Sequence, residues 1–333
     1  MNVVFIVPTG IGAEIGGHSG DATPAAKLIA SLCDVLFTHP NVVNASDINE
    51  MSKNMLYIEG SILDRFLEGQ IGLEEVCSNK ILLVVNKVKV DIVNAVSAAR
   101  VTIGADIEIV ELKAPLKMTT YIADGKASGE VYNWLEAIQQ VSQRDFDVLV
   151  VNTPIETDDV EAREYLLKEG GINLWGGVEA KLSKLMSEKL NKPVVHAPVE
   201  NSKEIRELNE VVDPRKAAEM VSYCFLHCCL KGAHTAPRIS LRDNAFWNTD
   251  IDFLITPINV VGRPHIACLK AGIPVIAVEA NRTVLNDKMP ESFIVAKNYL
   301  EVAGIISAKR AGVVLSSIKR PLERTNTLEV ARE

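Results

Sequence analysis

Val3-Val4-Phe5-Ile6-Val7, followed by Pro8-Thr9-Gly10-Ile11-Gly12-Ala13-Glu14-Ile15-Gly16-Gly17-His18-Ser19-Gly20-Asp21, is the stretch that decides the fold. Five consecutive apolar residues, three of them β-branched valines, fit a strand buried on both faces, as parallel strands are. The glycine-rich segment after it carries five glycines in thirteen residues, from Thr9 to Asp21. Such a loop permits positive φ and close approach of backbone N–H groups to a ligand. Thr23-Pro24 then supplies an N-cap and a proline for the first helical turn. Pro24–Cys33 has helical periodicity, and Val35-Leu36-Phe37 reads as a second short strand. The unit is strand, loop, helix, strand.

The same alternation continues along the chain. Strands are predicted at Met55–Ile58, Ile81–Val85, Ile107–Glu111, Val148–Val151, Val194–Val195, Phe253–Ile255, Val275–Val278 and Phe293–Val295. Helices are predicted at Ile62–Leu67, Val90–Val101, Glu130–Val141, Val160–Glu169, Val178–Leu190, Pro214–Leu230, His265–Ala271 and Tyr299–Lys309. Apolar strands separated by amphipathic helices indicate an α/β fold, a mostly parallel sheet flanked by helices and built from Rossmann-like βαβ units. With 333 residues, two lobes around a cleft are expected. The weakly patterned segment 114–129 is read as the linker. It separates an N-terminal lobe (1–118, with the Gly-rich loop) from a C-terminal lobe (129–320), and 321–333 is read as a tail.

Apolar residues make up 47% and charged residues 23% of the chain, enough for a substantial core without disulfides. The net charge of −8 argues against tracking a nucleic-acid backbone, which needs a basic surface. No window resembles a membrane helix, and the short apolar run ending at Pro8 does not resemble a signal peptide. These features lead to an expectation of a cytoplasmic protein with a small-molecule substrate, no nucleic-acid or membrane partner, and a homodimer on base rates. The six cysteines include no CxxC pair. In the cluster Cys224–Cys229, the pair Cys224 and Cys228 with His227 could hold a soft metal, but both cysteines fall on an apolar helical stripe and read as core.

Three strands end in a Pro/Thr pair: Pro8-Thr9, Thr153-Pro154 and Thr256-Pro257. Each is followed by a glycine element and a helix, and the next strand ends in polar residues. The intervals are unequal, which favours repeated βαβ units over a solenoid period. In open parallel sheets, ligands sit beyond the carboxyl ends of the strands. That rule places Thr9, His39, Asn41, Asn44, Thr153, His196, Thr256, Glu279 and Asn281 on one rim. The loop residues Gly10, Gly12, Gly16, Gly17, His18, Ser19 and Asp21 join them, as does Gly177 at a helix start. His39 and His196 are the proton-transfer candidates, because imidazole titrates near neutral pH. Glu179 and Glu279 are candidates to orient them. Asn and Thr after strands also serve as caps and turns, and each histidine could simply bond a loop carbonyl. A metal near His18, Asp21 and His39 is an open alternative without a linear signature, and no metal is assigned.

Two long motifs carry a resemblance. Pro8-Thr9-Gly10-Ile11-Gly12 with Gly16-Gly17-His18-Ser19-Gly20-Asp21-Ala22, and Thr38-His39-Pro40-Asn41-Val42-Val43-Asn44-Ala45, resemble the uncharacterised domain-of-unknown-function family 3326. Leu56-Tyr57-Ile58-Glu59-Gly60 with Asp64-Arg65-Phe66, Gly177-Val178-Glu179-Ala180, His196-Ala197-Pro198 and Ala277-Val278-Glu279 with Asn281 extend it to about residue 285. The resemblance supports the site positions and implies no reaction and no cofactor.

The reading that unites these features is a cofactor-independent enzyme: a hydrolase, isomerase or lyase using acid–base chemistry on a small polar or anionic metabolite. The Gly-rich loop would hold an anion or oxyanion. The alternative is a nucleotide- or dinucleotide-binding redox or regulatory protein. Against it, the GxGxxxG spacing is one residue long, the helix starts late, and Val35–Phe37 ends in Thr38-His39 where an acid is needed. A metabolite sensor or assembly subunit is the third reading, for which two rim histidines would be surplus.

Overall fold

The computed structural model describes residues 1–18, 21–43, 48–199, 208–222, 225–322 and 324–325. Along them run β1 (Asn2–Phe5), α1 (Thr23–Ala30), β2 (Val35–Thr38), β3 (Met55–Tyr57), α2 (Gly60–Leu67) and β4 (Gly72–Glu74). Next come β5 (Lys80–Val85), α3 (Val90–Ile103), β6 (Asp106–Glu111), β7 (Lys117–Ala123), β8 (Lys126–Tyr132) and α4 (Trp134–Val141). They are followed by β9 (Val148–Asn152), β10 (Ile155–Glu156), α5 (Asp159–Leu167), α6 (Gly176–Leu190), β11 (Val194–His196), α7 (Ala217–Val221) and α8 (Phe225–His234). The last elements are β12 (Arg238–Ser240), β13 (Ile251–Pro257), α9 (Arg263–Ala271), β14 (Val275–Val278), β15 (Ile294–Ala296), α10 (Tyr299–Arg310) and α11 (Leu315–Ile318).

Two parallel sheets organise the molecule. The larger has six strands in the order β15-β14-β13-β1-β2-β3, and the other has four in the order β11-β9-β5-β6. Period-two alternation explains how each buries both faces. Val3, Phe5 and Val7 enter one core with residues of α1 and α10, while Val4 and Ile6 enter another with residues of α2 and α9. In the second sheet, Ile81, Leu83 and Val85 join the first of these cores, and Leu82 and Val84 pack with residues of α4 and α6. Leu226, Cys229 and Leu230 of α8 belong to the core shared by both sheets. Cys33 and Cys268 are also buried, which pushes their thiols up to about 11 and about 12. The cysteines among the described residues of the 224–229 cluster, Cys228 and Cys229, lie in core; Cys224 is outside those residues.

The expected division at residue 118 does not match the sheets. The six-stranded sheet takes strands from both chain ends, whereas β5 and β6 sit with β9 and β11. The expected linker 114–129 is instead β7 and β8, an antiparallel hairpin pairing Ala123 with Lys126. Its two-residue turn, Asp124-Gly125, has φ of 49° and 69°, the left-handed pair that a type I′ hairpin requires. The helix expected from Glu130 therefore begins at Trp134. The helix expected over Pro214–Leu230 is also divided, into a 3-10 turn at Pro214–Lys216, then α7 and α8.

Candidate active site

Strand order locates the site. In the six-stranded sheet the chain steps outward from β1 to β2 and β3, and in the opposite direction from β13 to β14 and β15. In the four-stranded sheet it steps one way from β5 to β6 and the other from β9 to β11. The β1/β13 and β5/β9 boundaries are thus topological switch points, where crevices open at the carboxyl ends. Both open on one cavity of about 1520 Å³. Pro8 and Thr9 line it after β1, Val260–Arg263 after β13, Asn86 and Lys87 after β5, and Asn152 and Pro154 after β9.

Thr9, His39, Asn41, Glu179 and His196 share this wall. Glu179 is placed by the start of α6. Asn173 Oδ1 accepts from the N–H groups of Trp175 and Gly176 at 3.0 and 3.1 Å and so opens the helix. One turn later Glu179 faces the end of β11. His196 Nδ1 lies 2.8 Å from Glu179 Oε1, and His196 Nε2 lies 3.0 Å from the Thr153 carbonyl oxygen. Both ring nitrogens therefore sit on acceptors, and the His196 side chain is 1% exposed against 27% for Glu179. His196 offers no lone pair to the cavity. The carboxylate is the open partner, since among the described residues no donor meets Glu179 Oε2. The expectation from the sequence is that histidine moves the proton and glutamate orients it; in the structure the glutamate is the more exposed of the two.

His39 is arranged differently. Its Nδ1 accepts from the Asn41 N–H at 3.2 Å, so the neutral ring carries its hydrogen on Nε2. Burial lowers its pKa to about 4. His39 thus enters the cavity wall as a neutral N–H donor.

Four amides of the Gly-rich loop, expected to cradle an anion, are committed within the protein. Gly16 N–H donates to Asp21 Oδ1 (2.7 Å), Gly17 N–H to the Asn41 carbonyl (3.0 Å), Ile15 N–H to Asn281 Oδ1 (3.0 Å) and Glu14 N–H to the Arg282 carbonyl (2.9 Å). These amides are satisfied within the protein and are not left to bind a ligand. Gly16 has φ of 92° and a Cβ there would meet Val7 Cγ2 at 2.9 Å, so the loop packs straight back on its own strand. Asn41 is also committed, donating through Nδ2 to the carbonyls of Val7 and Pro8.

Asp21 binds Arg215 Nε at 2.7 Å, and Arg215 reaches the Ala13 carbonyl at 2.6 Å. Burial raises the Asp21 pKa against this pairing. His18 is buried with Nδ1 2.6 Å from the Tyr165 hydroxyl, and burial drives its pKa down to about 3. Among the described residues no three His, Cys, Asp or Glu side chains gather as a metal set. Gly10 and Gly12 hold positive φ of 68° and 57° in the same loop.

A match to a known family follows the same residues. From residue 2 to residue 319 the chain matches the family described as Protein of unknown function (DUF3326). The chain belongs to this family. It is 31% identical over 334 residues to an uncharacterized lipoprotein of Synechococcus sp., covering 94% of this chain and 92% of that protein. No solved structure matches it.

The residues singled out from the sequence divide between wall and scaffold. Asn281 is fully buried, donates to the Ile15 carbonyl and Tyr299 hydroxyl, and pins the loop from the side opposite Asn41. Thr256 is fully buried with its hydroxyl 2.8 Å from His265 Nε2. Thr153 reaches the site only through its bonds to His196. Gly177 is a packing residue, since a Cβ would lie 2.2 Å from the Ala127 carbonyl oxygen of β8. Glu279 is exposed beside Asn259 and Arg282, off the wall of the large cavity. It does not join Glu179, because its strand, β14, lies one place away from the switch point. Ser19 and Asn44 lie outside the described residues. Four further residues line the cavity: Glu59 and Asp64, which in the sequence stand only within the resemblance motifs, and Lys184 and Arg263, which it does not mark. Glu59 and Asp64 stand just beyond the carboxyl end of β3, and that position was the available signal.

Proposed function

We propose that the protein is an enzyme that moves protons on a polar substrate, with Glu179 as the reacting carboxylate and His196 as its positioning partner. One observation carries this reading: the Glu179–His196 pair stands on the wall of the cavity into which both switch points open. A base must be accessible and held in one orientation. Glu179 meets both needs, because one oxygen is fixed by His196 Nδ1 and the other remains open. His39 would supply a neutral N–H to an oxygen that gains negative charge. The cavity exceeds the roughly 300–1,000 Å³ typical of small-molecule pockets. The reading therefore favours an extended substrate, or two substrates side by side, over the small metabolite expected at first. The nucleotide reading loses its main support, because the loop amides from Glu14 to Gly17 already have protein acceptors.

The test is a turnover screen over carboxylates, amides and esters of graded length, run on the wild type and on Glu179→Gln. The isosteric amide cannot accept a proton, so a drop of about 100-fold or more is expected, with the fold retained. Wild-type turnover in Glu179→Gln ends the reading. A cytoplasmic location goes with it, whereas the name of the Synechococcus protein points to membrane attachment. Val3, Val4 and Phe5 are fully buried in β1, between β13 and β2. Removing this apolar run as a leader would take out a switch-point strand. Cell fractionation decides between the two locations.

A further inference from the structure

A second carboxyl group stands on the same wall, held by a single long ion pair among the described residues. Asp64 lies on α2, lines the cavity, and has a side chain 25% exposed. Among the described residues its carboxyl oxygens make no hydrogen bond. Its nearest cation, Arg263 Nη1 at the start of α9, is 3.9 Å away. The other nitrogens of that guanidinium donate to Glu68, from Nε at 2.6 Å and from Nη2 at 2.8 Å. It also lies 3.9 Å from Glu188 of α6. Asp91, Glu156 and Asp159 also line the cavity but are exposed, and the buried carboxyl groups nearby are occupied. Glu59 caps α2 by accepting from the N–H groups of Ser61 and Ile62 at 2.8 and 3.2 Å, and Asp21 is held by Gly16 and Arg215.

The groups facing Asp64 are Arg263 from α9, Glu59 and Glu68 from either end of α2, and Lys184 from α6. Lys184 also lines the cavity, five residues beyond Glu179 and so about 7.5 Å along the same helix. Burial, with Glu59 and Glu68 adding to it, raises the Asp64 pKa to about 7 against the pull of Arg263 and Lys184. Glu179 and Asp64 are thus in opposite environments. Glu179 has the His196 imidazole Nδ1 at 2.8 Å. Asp64 is half-desolvated without a donor and is held as an acid. Divergent environments of this kind mark base and acid partners in proton-transfer sites.

We infer that Asp64 is the general acid that complements the base Glu179 on a single substrate, an assignment that rests on the proton-transfer reading above. In the step, a substrate C–H or water O–H bond breaks as its proton passes to Glu179. The pair left by the C–H bond forms a C=C bond as the carbonyl π pair takes the Asp64 proton. In the hydrolytic case the water oxygen bonds to the substrate carbon as the bond to the leaving-group oxygen breaks, and that oxygen takes the Asp64 proton. The protein ends with Glu179 protonated and Asp64 ionised, and exchange with water restores both. No electron is gained or lost. The substrate class is then one with an acidic C–H or a hydrolysable bond on one side and a proton-accepting oxygen on the other.

The experiment has two arms. Carboxyl ¹³C NMR on aspartate-labelled full-length protein, with Asp64→Asn as the assignment control, is expected to show one resonance titrating near pH 7 that the variant lacks. Titration of Asp64 in the ordinary carboxylate range overturns the inference whether or not a substrate is known. On a substrate found by the screen, the wild-type rate is expected to fall above pH 7 as the acid is lost. Asp64→Asn should be slowed at least 100-fold and should lose that alkaline limb. Turnover lost in Glu179→Gln with the limb intact in Asp64→Asn overturns the acid role and leaves the wider reading standing. Turnover intact in Glu179→Gln overturns the wider reading itself.

Discussion

At the scale of single residues, the histidines separate by what their nitrogens touch. His265 is fully buried; its Nδ1 accepts from the Gly262 N–H at 3.0 Å and its Nε2–H donates to Thr256 Oγ1 at 2.8 Å. A ring that accepts on one nitrogen is neutral, and burial lowers its pKa to about 4. Between pH 6.5 and 4 the unfolded chain takes up a proton here and the folded chain does not. The stability His265 contributes is therefore present above pH 6.5 and is lost as the pH falls toward 4. His265→Gln should be less stable than the wild type at pH 7.5 by about 1–3 kcal/mol, the usual range for a buried polar group losing its partner. That gap should narrow at pH 4.5. Urea midpoints at the two pH values check this, and a gap that does not change with pH would contradict a neutral His265. The sequence marks His39 and His196 by their place after strands, and both line the cavity. It could not distinguish a ring with one open nitrogen from a ring closed on both sides, because the second partner of His196 is a backbone carbonyl 43 residues away.

At the scale of elements, close packing decides where glycine is required. The hairpin of β7 and β8 lies against the start of α6 so tightly that a Cβ on Gly177 would sit 2.2 Å from the Ala127 carbonyl oxygen and 2.5 Å from its carbonyl carbon. Neither atom can move without shifting the strand. At Gly176 the added Cβ meets Thr9 Oγ1 at 2.3 Å, the tip of a side chain that can rotate. Gly177→Ala should therefore cost about 1–3 kcal/mol, the range for overpacking, and Gly176→Ala less. Chemical denaturation of the two variants gives the order, and equal losses would mean that the hairpin yields. From the sequence Gly177 reads as ligand-facing, because glycine at a helix start suits both a phosphate and a close neighbour. The sequence does not say which, since the neighbour, β8, is about 50 residues upstream. The hairpin itself was legible: Asp124-Gly125 is a type I′ turn signal. It was passed over because β7 alternates poorly, with Tyr121, Ile122 and Ala123 all exposed. Parallel strands such as β1, β5, β9 and β13 were found at once, because burial on both faces leaves a continuous apolar run.

At the scale of the whole molecule, the chain's path ties the cavity to folding as one unit. The six-stranded sheet joins residues near both ends, with Val3 paired to Phe253 and Phe5 to Ile255, while the four-stranded sheet is built from the middle of the chain. Local apolar patterning records that strands exist but not which neighbours they choose, so a division at residue 118 looked reasonable although it cuts across both sheets. One buried core runs through both, holding Phe5 and Ile255 of the first with Leu83 and Val150 of the second. Separate lobes would be expected to unfold in separate steps, but a shared core couples them. Trp134 opens α4 beside the four-stranded sheet, and the Trp247 ring lies 3.0 Å from where a Cβ on Gly72 would stand, on the side of the six-stranded sheet. Variants keeping only one of these tryptophans should show coincident urea transitions, matching far-UV circular dichroism. By the same reasoning residues 1–118 alone should not fold, since β1 would lose β13, and β5 would lose β9. Two resolved transitions, or a protease-resistant 1–118 fragment, would show that each sheet is stable without the other. In that case the cavity between them would be an interface between independent domains.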